Sequence, residues 1–349
     1  MATMPKNIKI LDVTIRDGSY AINYQYTPEQ VAQIAQALDQ AGIHYIEVSH
    51  GCGLGASENL GLPAAATDQE YVQAAKKSVK KAKIGVIAGT PPLTFPKDID
   101  TIKNDADFIR IAANCDEVQI AEENINYAQK NGLTCFFQMM RSSRISLPKL
   151  IAQTKIVEKM GAQVAYVVDT AGYFTPDQIE KIISELKAKL KIKIGFHAHN
   201  NLGLAIANTL AAVRAGCDFI DASLLGMGRQ AGNAQLEAVV SLMQRQGLLK
   251  NINLDLLLET AEKYLVPIMP ARKGLARLDL ITADTNIDLY PLDLFQIVAQ
   301  ELKIDLTKLI RHLSTHKNMT EVKPEHLIKT IKHFGGNPQK ILGKYGIPI

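Results

Sequence analysis

Apolar residues in this chain come in short unbroken runs, separated by longer stretches in which they recur every three or four positions. The runs at 8–13, 45–48, 84–88, 108–112, 134–139, 164–168, 192–196 and 219–223 are β-branched or aromatic and continuous rather than alternating. That is the pattern of parallel strands buried on both faces. Between them lie helix-period segments at 28–41, 71–82, 117–130, 147–160, 176–190, 204–215 and 235–245, with a shorter one at 98–104. Gly42, Gly132, Gly161 and Gly216 follow the ends of such segments, where a left-handed C-cap residue is needed. Eight strand–helix units within the first 250 residues predict an α/β fold, a (β/α)8 TIM barrel. A doubly wound sheet would place a glycine-rich phosphate turn after its first strand, and Arg16-Asp17-Gly18 is no such turn.

After Asn253 the period becomes purely helical, with segments at 256–264, 292–302, 306–313 and 325–333. The proline-bearing stretch 267–272 reads as a hinge. The expected organisation is a catalytic barrel over 1–265 and a small C-terminal helical domain over 266–349.

Composition adds exclusions. With 349 residues, 47% hydrophobic, the chain can bury a large core. A formal charge of +4 is mild for this length, and the densest basic run, 76–83, falls on a helix where lysines form a solvated face, which argues against nucleic acid. The apolar runs are strand-length, none reaches 18 residues, and residues 1–9 lack a signal-peptide core, so no membrane association and a cytoplasmic location are expected. Cys52, Cys115, Cys135 and Cys217 form no CxxC pair and are read as buried, reduced thiols.

The chemistry concentrates where strands end, the face on which barrels of this kind build their sites. The seventh run ends in His197-Ala198-His199, and alternate strand residues point the same way, so both imidazoles can enter one site. Asp17, after the first run, supplies a carboxylate. One carboxylate and two histidines with open positions describe a catalytic divalent-metal centre. Arg16 beside them carries a permanent charge suited to an oxyanion. Ser49, His50, Gln138, Arg141, Asp169, Thr170 and residues 226–233 also fall at strand ends.

Four segments, Thr14-Ile15-Arg16-Asp17-Gly18, Ile46-Glu47-Val48-Ser49-His50-Gly51, Phe196-His197-Ala198-His199-Asn200-Asn201-Leu202 and 225–234, resemble the pyruvate-aldolase branch of the superfamily that includes HMG-CoA lyase and isopropylmalate synthase. Within it the chain is most similar to the 4-hydroxy-2-oxovalerate aldolases. The resemblance implies that Asp17, His197 and His199 bind a divalent metal, Mn2+ in the first place with Mg2+ or Co2+ as alternatives. It further implies that Asn233 supports the metal shell, that Arg16 stabilises a pyruvate enolate, and that Thr170 contacts the substrate carboxylate through its backbone. The implied reaction cleaves or forms a carbon–carbon bond of a 4-hydroxy-2-oxo acid, giving pyruvate and an aldehyde. The implied partners are an acylating aldehyde dehydrogenase and further copies of the chain in a homo-oligomer.

The pattern breaks at one position. The aldolases carry a base histidine two residues after Arg-Asp-Gly, where this chain has Tyr20, a phenol with an ordinary pKa near 10. Tyr20 as an acid, assistance from His50 or Tyr290, and a changed substrate all remain open. The structural alternatives are a packing aromatic for Tyr20, a strand-end histidine for His50, a surface tyrosine for Tyr290, a loop-closing amide for Asn233 and a helix N-cap for Thr170. Rival functions are an acetyl-CoA-dependent condensing synthase and a non-catalytic metal-binding partner of a dehydrogenase.

Overall fold

The computed structural model describes residues 7–269, 275–290, 292–316 and 319–345. Eight parallel strands close into a barrel in chain order: β1 (Lys9–Asp12), β2 (Tyr45–Glu47), β3 (Lys83–Ala88), β4 (Phe108–Asn114), β5 (Thr134–Met140), β6 (Val164–Asp169), β7 (Lys193–Ala198) and β8 (Phe219–Ala222). β1 aligns Leu11 with Tyr45 of β2 on one side and Lys9 with Phe219 of β8 on the other, which closes the ring. The (β/α)8 architecture read from the apolar runs is the architecture observed.

Burial on both faces explains the unbroken runs. Outward residues such as Ile84, Ile109 and Ile194 meet the surrounding helices. Inward residues Leu11, Phe108, Phe136, Val164, Tyr166 and Phe219 fill the lower barrel interior. Gly195 is required by that filling, since a Cβ there would lie 2.5 Å from the Tyr166 ring. The helices Pro28–Gln40, Asp68–Ser78 and Pro176–Lys189 start on threonine N-caps, Thr27, Thr67 and Thr175, each paired with Gln or Glu at the third helical position.

Boundaries differ from the expectation where capping, not apolar period, sets them. The second helix runs from Asp68 to Ser78 because Thr67 caps it. The segment expected at 117–130 divides into a 3-10 turn, Val118–Ala121, and a helix, Glu122–Lys130. The helix Leu254–Thr260 widens instead, passing into a π turn at Ala261–Leu265.

Beyond the barrel core, a second apolar core gathers Phe295, Val298, Leu309, Leu313, Leu327 and Ile331. It is formed by the helices Arg277–Thr285, Leu292–Glu301, Leu306–Leu313, Pro324–His333 and Pro338–Gly343. The first and last of these were not expected. The hinge expected at 267–272 extends outside the described residues. These helices sit on the C-terminal mouth of the barrel, where Ser143 Oγ donates to Asn286 Oδ1 at 2.6 Å and Arg144 Nε to the Met319 carbonyl at 2.7 Å.

Candidate active site

The strand-end residues converge on a cavity of about 180 Å3 at the C-terminal mouth. Arg16, Asp17, Tyr20, Thr170, His197, His199 and Tyr290 all line it. A larger cleft of about 520 Å3 runs past residues 54–70, but it carries no imidazole, thiol or cationic side chain.

Asp17, His197 and His199 each present a ligand atom, all lying within 4.8 Å of one another, and all three are buried. Asp17 opens the 3-10 turn Asp17–Ile22, separated by four residues from the end of β1, at the strand's C-terminal side. Its Oδ1 accepts from Arg16 Nη1 at 2.8 Å and its Oδ2 from Asn233 Nδ2 at 2.5 Å. Burial works to raise the Asp17 carboxyl, but Arg16, then His199 and His197, outweigh it and hold it well below the usual carboxylate range. Burial pushes His199 down to about 3 against the pull of Asp17, so that imidazole is neutral, as a metal ligand must be. His197 Nδ1 lies 2.8 Å from Asp221 Oδ2, an arrangement that commits Nδ1 to the carboxylate and leaves Nε2 for a metal.

The donor set fits a divalent cation: one carboxylate and two imidazoles with room beside them. Asn233 Oδ1 adds a buried oxygen with no hydrogen-bond partner among the described residues, next to the Asp17 carboxylate. The loop bearing it approaches so closely that a Cβ on Gly228 would meet Asp17 Oδ2 at 2.8 Å and Asn233 Nδ2 at 2.4 Å. Only glycine allows that approach.

Arg16 is fixed on its other side by Glu47, whose Oε2 accepts from Arg16 Nε at 2.6 Å. Burial disfavours the Arg16 charge, but Glu47 and Asp17 more than offset it. Thr170 does not cap a helix, since the next one begins at Pro176 with Thr175 as its cap; its hydroxyl accepts from the Arg141 backbone N–H at 2.8 Å.

The aromatic wall is organised around a thiol. Tyr20 Oη lies 3.3 Å, Tyr24 Oη 3.4 Å and Tyr290 Oη 3.3 Å from Cys52 Sγ. Burial, then Cys52, pushes the Tyr20 phenol well above its ordinary value, and Tyr290 is raised for the same reasons. Cys52 is only half-buried, which corrects its reading as a core thiol; Cys115, Cys135 and Cys217 are buried. Tyr290 is 39% exposed yet reaches the cavity mouth.

His50 is placed elsewhere. Its ring packs 4.1 Å from the Tyr24 ring, in a closed space with Ser19, Tyr26 and Tyr71, and its Nδ1 accepts from the Cys52 backbone N–H at 3.1 Å. It is 1% exposed and does not line the cavity, contrary to the expectation of direct assistance.

Several lining or supporting groups went unassigned in the sequence reading. Asp288, from the C-terminal helices, accepts from Arg141 Nη2 at 2.8 Å and Arg229 Nη1 at 2.5 Å, so it ties together two barrel loops. Burial works to raise its carboxyl, but Arg229 and Arg141 hold it low. Glu47, Arg110 and Asp221 are charged residues inside otherwise apolar strands, and that interruption was the available signal.

Fold and site together define a (β/α)8 barrel with a candidate divalent-metal centre at its C-terminal face. Residues 7–263 match the HMGL-like family, and the chain belongs to it. It is 41% identical to a 4-hydroxy-2-oxovalerate aldolase of Carboxydothermus hydrogenoformans over 76% of this chain and 79% of that one. It is 34% identical to an oxaloacetate decarboxylase of Mycobacterium tuberculosis over 92% of this chain and 95% of that one. Among solved structures it is similar in fold to the carboxyl transferase domain of Rhizobium etli pyruvate carboxylase, at 17% identity and a TM-score of 0.75, covering 94% of this chain and 61% of that one. Among the described residues no helix is long and apolar enough to cross a membrane.

Proposed function

We propose that the chain is a divalent-metal-dependent carbon–carbon lyase that cleaves or forms a 4-hydroxy-2-oxo acid through a pyruvate enolate, releasing or consuming an aldehyde. The observation that carries this reading is the convergence of Asp17, His197 and His199 with Arg16 on one small cavity. A bound cation, Mn2+ in the first place with Mg2+ or Co2+ as alternatives, supplies Lewis-acid polarisation of the 2-oxo acid. Asp17, His197 and His199 hold it, and Asn233 supports it. Arg16, permanently charged and fixed by Glu47 and Asp17, stabilises the enolate oxygen. Thr170 offers its backbone to the substrate carboxylate. Tyr20 acts as an acid: its phenol stays protonated at neutral pH, and among the described residues the imidazoles lining the cavity are His197 and His199, the two metal ligands. In the bond-forming direction the enolate carbon attacks the aldehyde carbonyl and the new oxyanion takes the Tyr20 proton; cleavage needs the Tyr20 phenolate to take the hydroxyl proton, so cleavage should rise with pH. Tyr290 stands beside Tyr20 as a second donor. His50 supports this wall by packing under Tyr24. The separate apolar cores support 1–265 and 266–349 as domains. A cytoplasmic homo-oligomer that passes its aldehyde to an acylating dehydrogenase completes the proposal.

One observation favours a second reaction at the same centre. Decarboxylation of oxaloacetate makes the same enolate and needs no base for a hydroxyl proton, so a Tyr20 that stays protonated does not hinder it. A relative named for that reaction is matched over 92% of the chain.

The test is solvent deuterium exchange into the pyruvate methyl group, with pyruvate release from 4-hydroxy-2-oxopentanoate and from oxaloacetate measured alongside. Exchange should require the metal and vanish in an Asp17→Ala, His197→Ala, His199→Ala variant. Absence of exchange with all three metals would overturn the reading, and thiol release from acetyl-CoA would install the condensing-synthase alternative.

A further inference from the structure

At and beneath the cavity floor, five charged side chains of alternating sign and His197 form a nearly closed ring. From Asp17 Oδ1 it passes to Arg16 Nη1 at 2.8 Å, and from Arg16 Nε to Glu47 Oε2 at 2.6 Å. Glu47 Oε1 then meets Arg110 Nε at 3.2 Å, and Arg110 Nη2 meets Asp221 Oδ2 at 2.7 Å. Asp221 Oδ2 is also 2.8 Å from His197 Nδ1, and the ring closes where His197 and Asp17 face each other as candidate ligands. The members come from the β1 loop, β2, β4, β8 and β7, so the ring spans the barrel interior. Arg110 is its keystone: fully buried, 4.5 Å over the Tyr166 ring, in contact with Gln138, and absent from the cavity lining.

We propose that Arg110 is a positioning residue that sets the enolate-stabilising arm, Glu47–Arg16, and the metal-binding arm, Asp221–His197, in one fixed geometry. The inference rests on the metal-site reading above. Burying a guanidinium inside a barrel is costly, and a barrel layer is ordinarily filled by branched apolar side chains. Arg110 occupies a strand whose neighbouring residues, Phe108, Ile109 and Ile111, are of that apolar kind. What the guanidinium does that an apolar side chain cannot is face two carboxylates through different nitrogens. Facing Glu47, it fixes the oxygen pair that sets the angle of the Arg16 fork. Facing Asp221, it fixes the one oxygen that holds His197 Nδ1 and so leaves Nε2 for the metal. Among the described residues Glu47 Oε1 has no hydrogen-bond partner, so its ion pair with Arg110 is the main restraint on that side, and Asp221 Oδ2 is shared between Arg110 Nη2 and His197 Nδ1. Arg110 touches neither the candidate metal nor Arg16, so an effect of its replacement on both arms measures coupling through the ring.

Arg110→Lys tests this, because an ammonium keeps the buried charge but cannot span both carboxylates. Two quantities are measured: Mn2+ affinity of the metal-free protein, from the free-Mn2+ EPR signal, and pyruvate deuterium exchange at saturating Mn2+, split into kcat and KM. The expected result is a loss of about 10- to 100-fold in Mn2+ affinity, the usual effect of removing an outer-shell partner. The saturated exchange rate should also fall about 10-fold or more, with pyruvate KM changed less. Wild-type affinity and wild-type saturated exchange in Arg110→Lys would overturn the proposal, as would loss on one arm alone. Should that variant not fold, the charge-free Glu47→Gln, Arg110→Gln, Asp221→Asn variant replaces it, and unchanged affinity and exchange there overturn the proposal equally. Failure of the wild-type protein to bind Mn2+ would instead overturn the metal-site reading, so the two failures are distinct.

Discussion

His50 gives a prediction whose size follows from its surroundings. The ring is 1% exposed and stacked beneath Tyr24, and burial lowers its pKa to about 4. In the unfolded chain an imidazole titrates near 6.5. Between those values the unfolded state binds a proton that the folded state refuses, so stability rises with pH across the window and falls on acidification. The full difference of roughly 2.5 pH units corresponds to about 3 kcal/mol, of which about 2 kcal/mol is lost by pH 5. Asp12 and Asp169, raised to about 7 by burial, act in the opposite sense: their folded forms hold a proton more tightly, a contribution fully present at low pH and lost as pH rises toward 7. They are common to both proteins in the comparison and cancel. The perturbation is His50→Gln, which keeps an acceptor for the Cys52 N–H and removes the titration. Urea unfolding of the metal-free proteins at pH 7.5 and pH 5 should show wild type losing about 2 kcal/mol more than the variant on acidification. Pyruvate exchange at pH 7.5 should stay within about twofold, because the ring does not line the cavity. Equal losses in the two proteins would refute the buried neutral imidazole, and a hundredfold fall in exchange would show that the ring takes part in the chemistry.

Three further outcomes are expected. Arg16→Lys keeps the charge but not the fork that spans Glu47 and Asp17, so pyruvate exchange should fall by roughly 100-fold while Mn2+ affinity changes less than tenfold, as read by EPR. Iodoacetamide should label Cys52 alone in the folded chain, since the other three thiols are buried, and peptide mapping that finds a second labelled cysteine would contradict this. Tyr20→Phe should abolish aldol cleavage and spare pyruvate exchange; equal loss of both, followed by deuterium NMR, would make the phenol part of the enolate site instead.

The barrel was legible because strands buried on both faces must be apolar throughout, and that leaves unbroken runs. The helix Arg277–Thr285 was not, because its apolar residues Leu278 and Ile281 are interleaved with Asp279, Thr282 and Asp284 and give little period. At the site, Arg16, Asp17, His197 and His199 stood out because chemistry at strand ends interrupts an apolar pattern. Arg110 interrupts one too, in the middle of Phe108–Asn114, but a lone charge within a run names no partner; Glu47 and Asp221 lie 63 and 111 residues away along the chain. Cys52 misled for a different reason. A thiol beside a strand is ordinarily core, and only the folded chain brings three tyrosines from two regions onto it.

The C-terminal helices are more than a cover. Arg141 sits after β5 in a left-handed conformation, φ 58°, that a side chain other than glycine adopts only when its surroundings hold it there. Arg229 lies in the loop after β8. Two guanidinium groups on separate loops at one cavity would repel and drift apart, yet Asp288 accepts from both and brings them to the same wall. Tyr290, two residues further on, reaches Cys52 from the same segment. One short stretch among the C-terminal helices therefore sets the electrostatics of one wall and the aromatic contacts of another. Asp17, His197 and His199 all come from the barrel, whereas the wall of Arg141, Arg229 and Tyr290 is completed by residues 286–290. Substitutions at Asp288 should accordingly alter discrimination among aldehydes or second carboxylates before they alter enolisation of pyruvate.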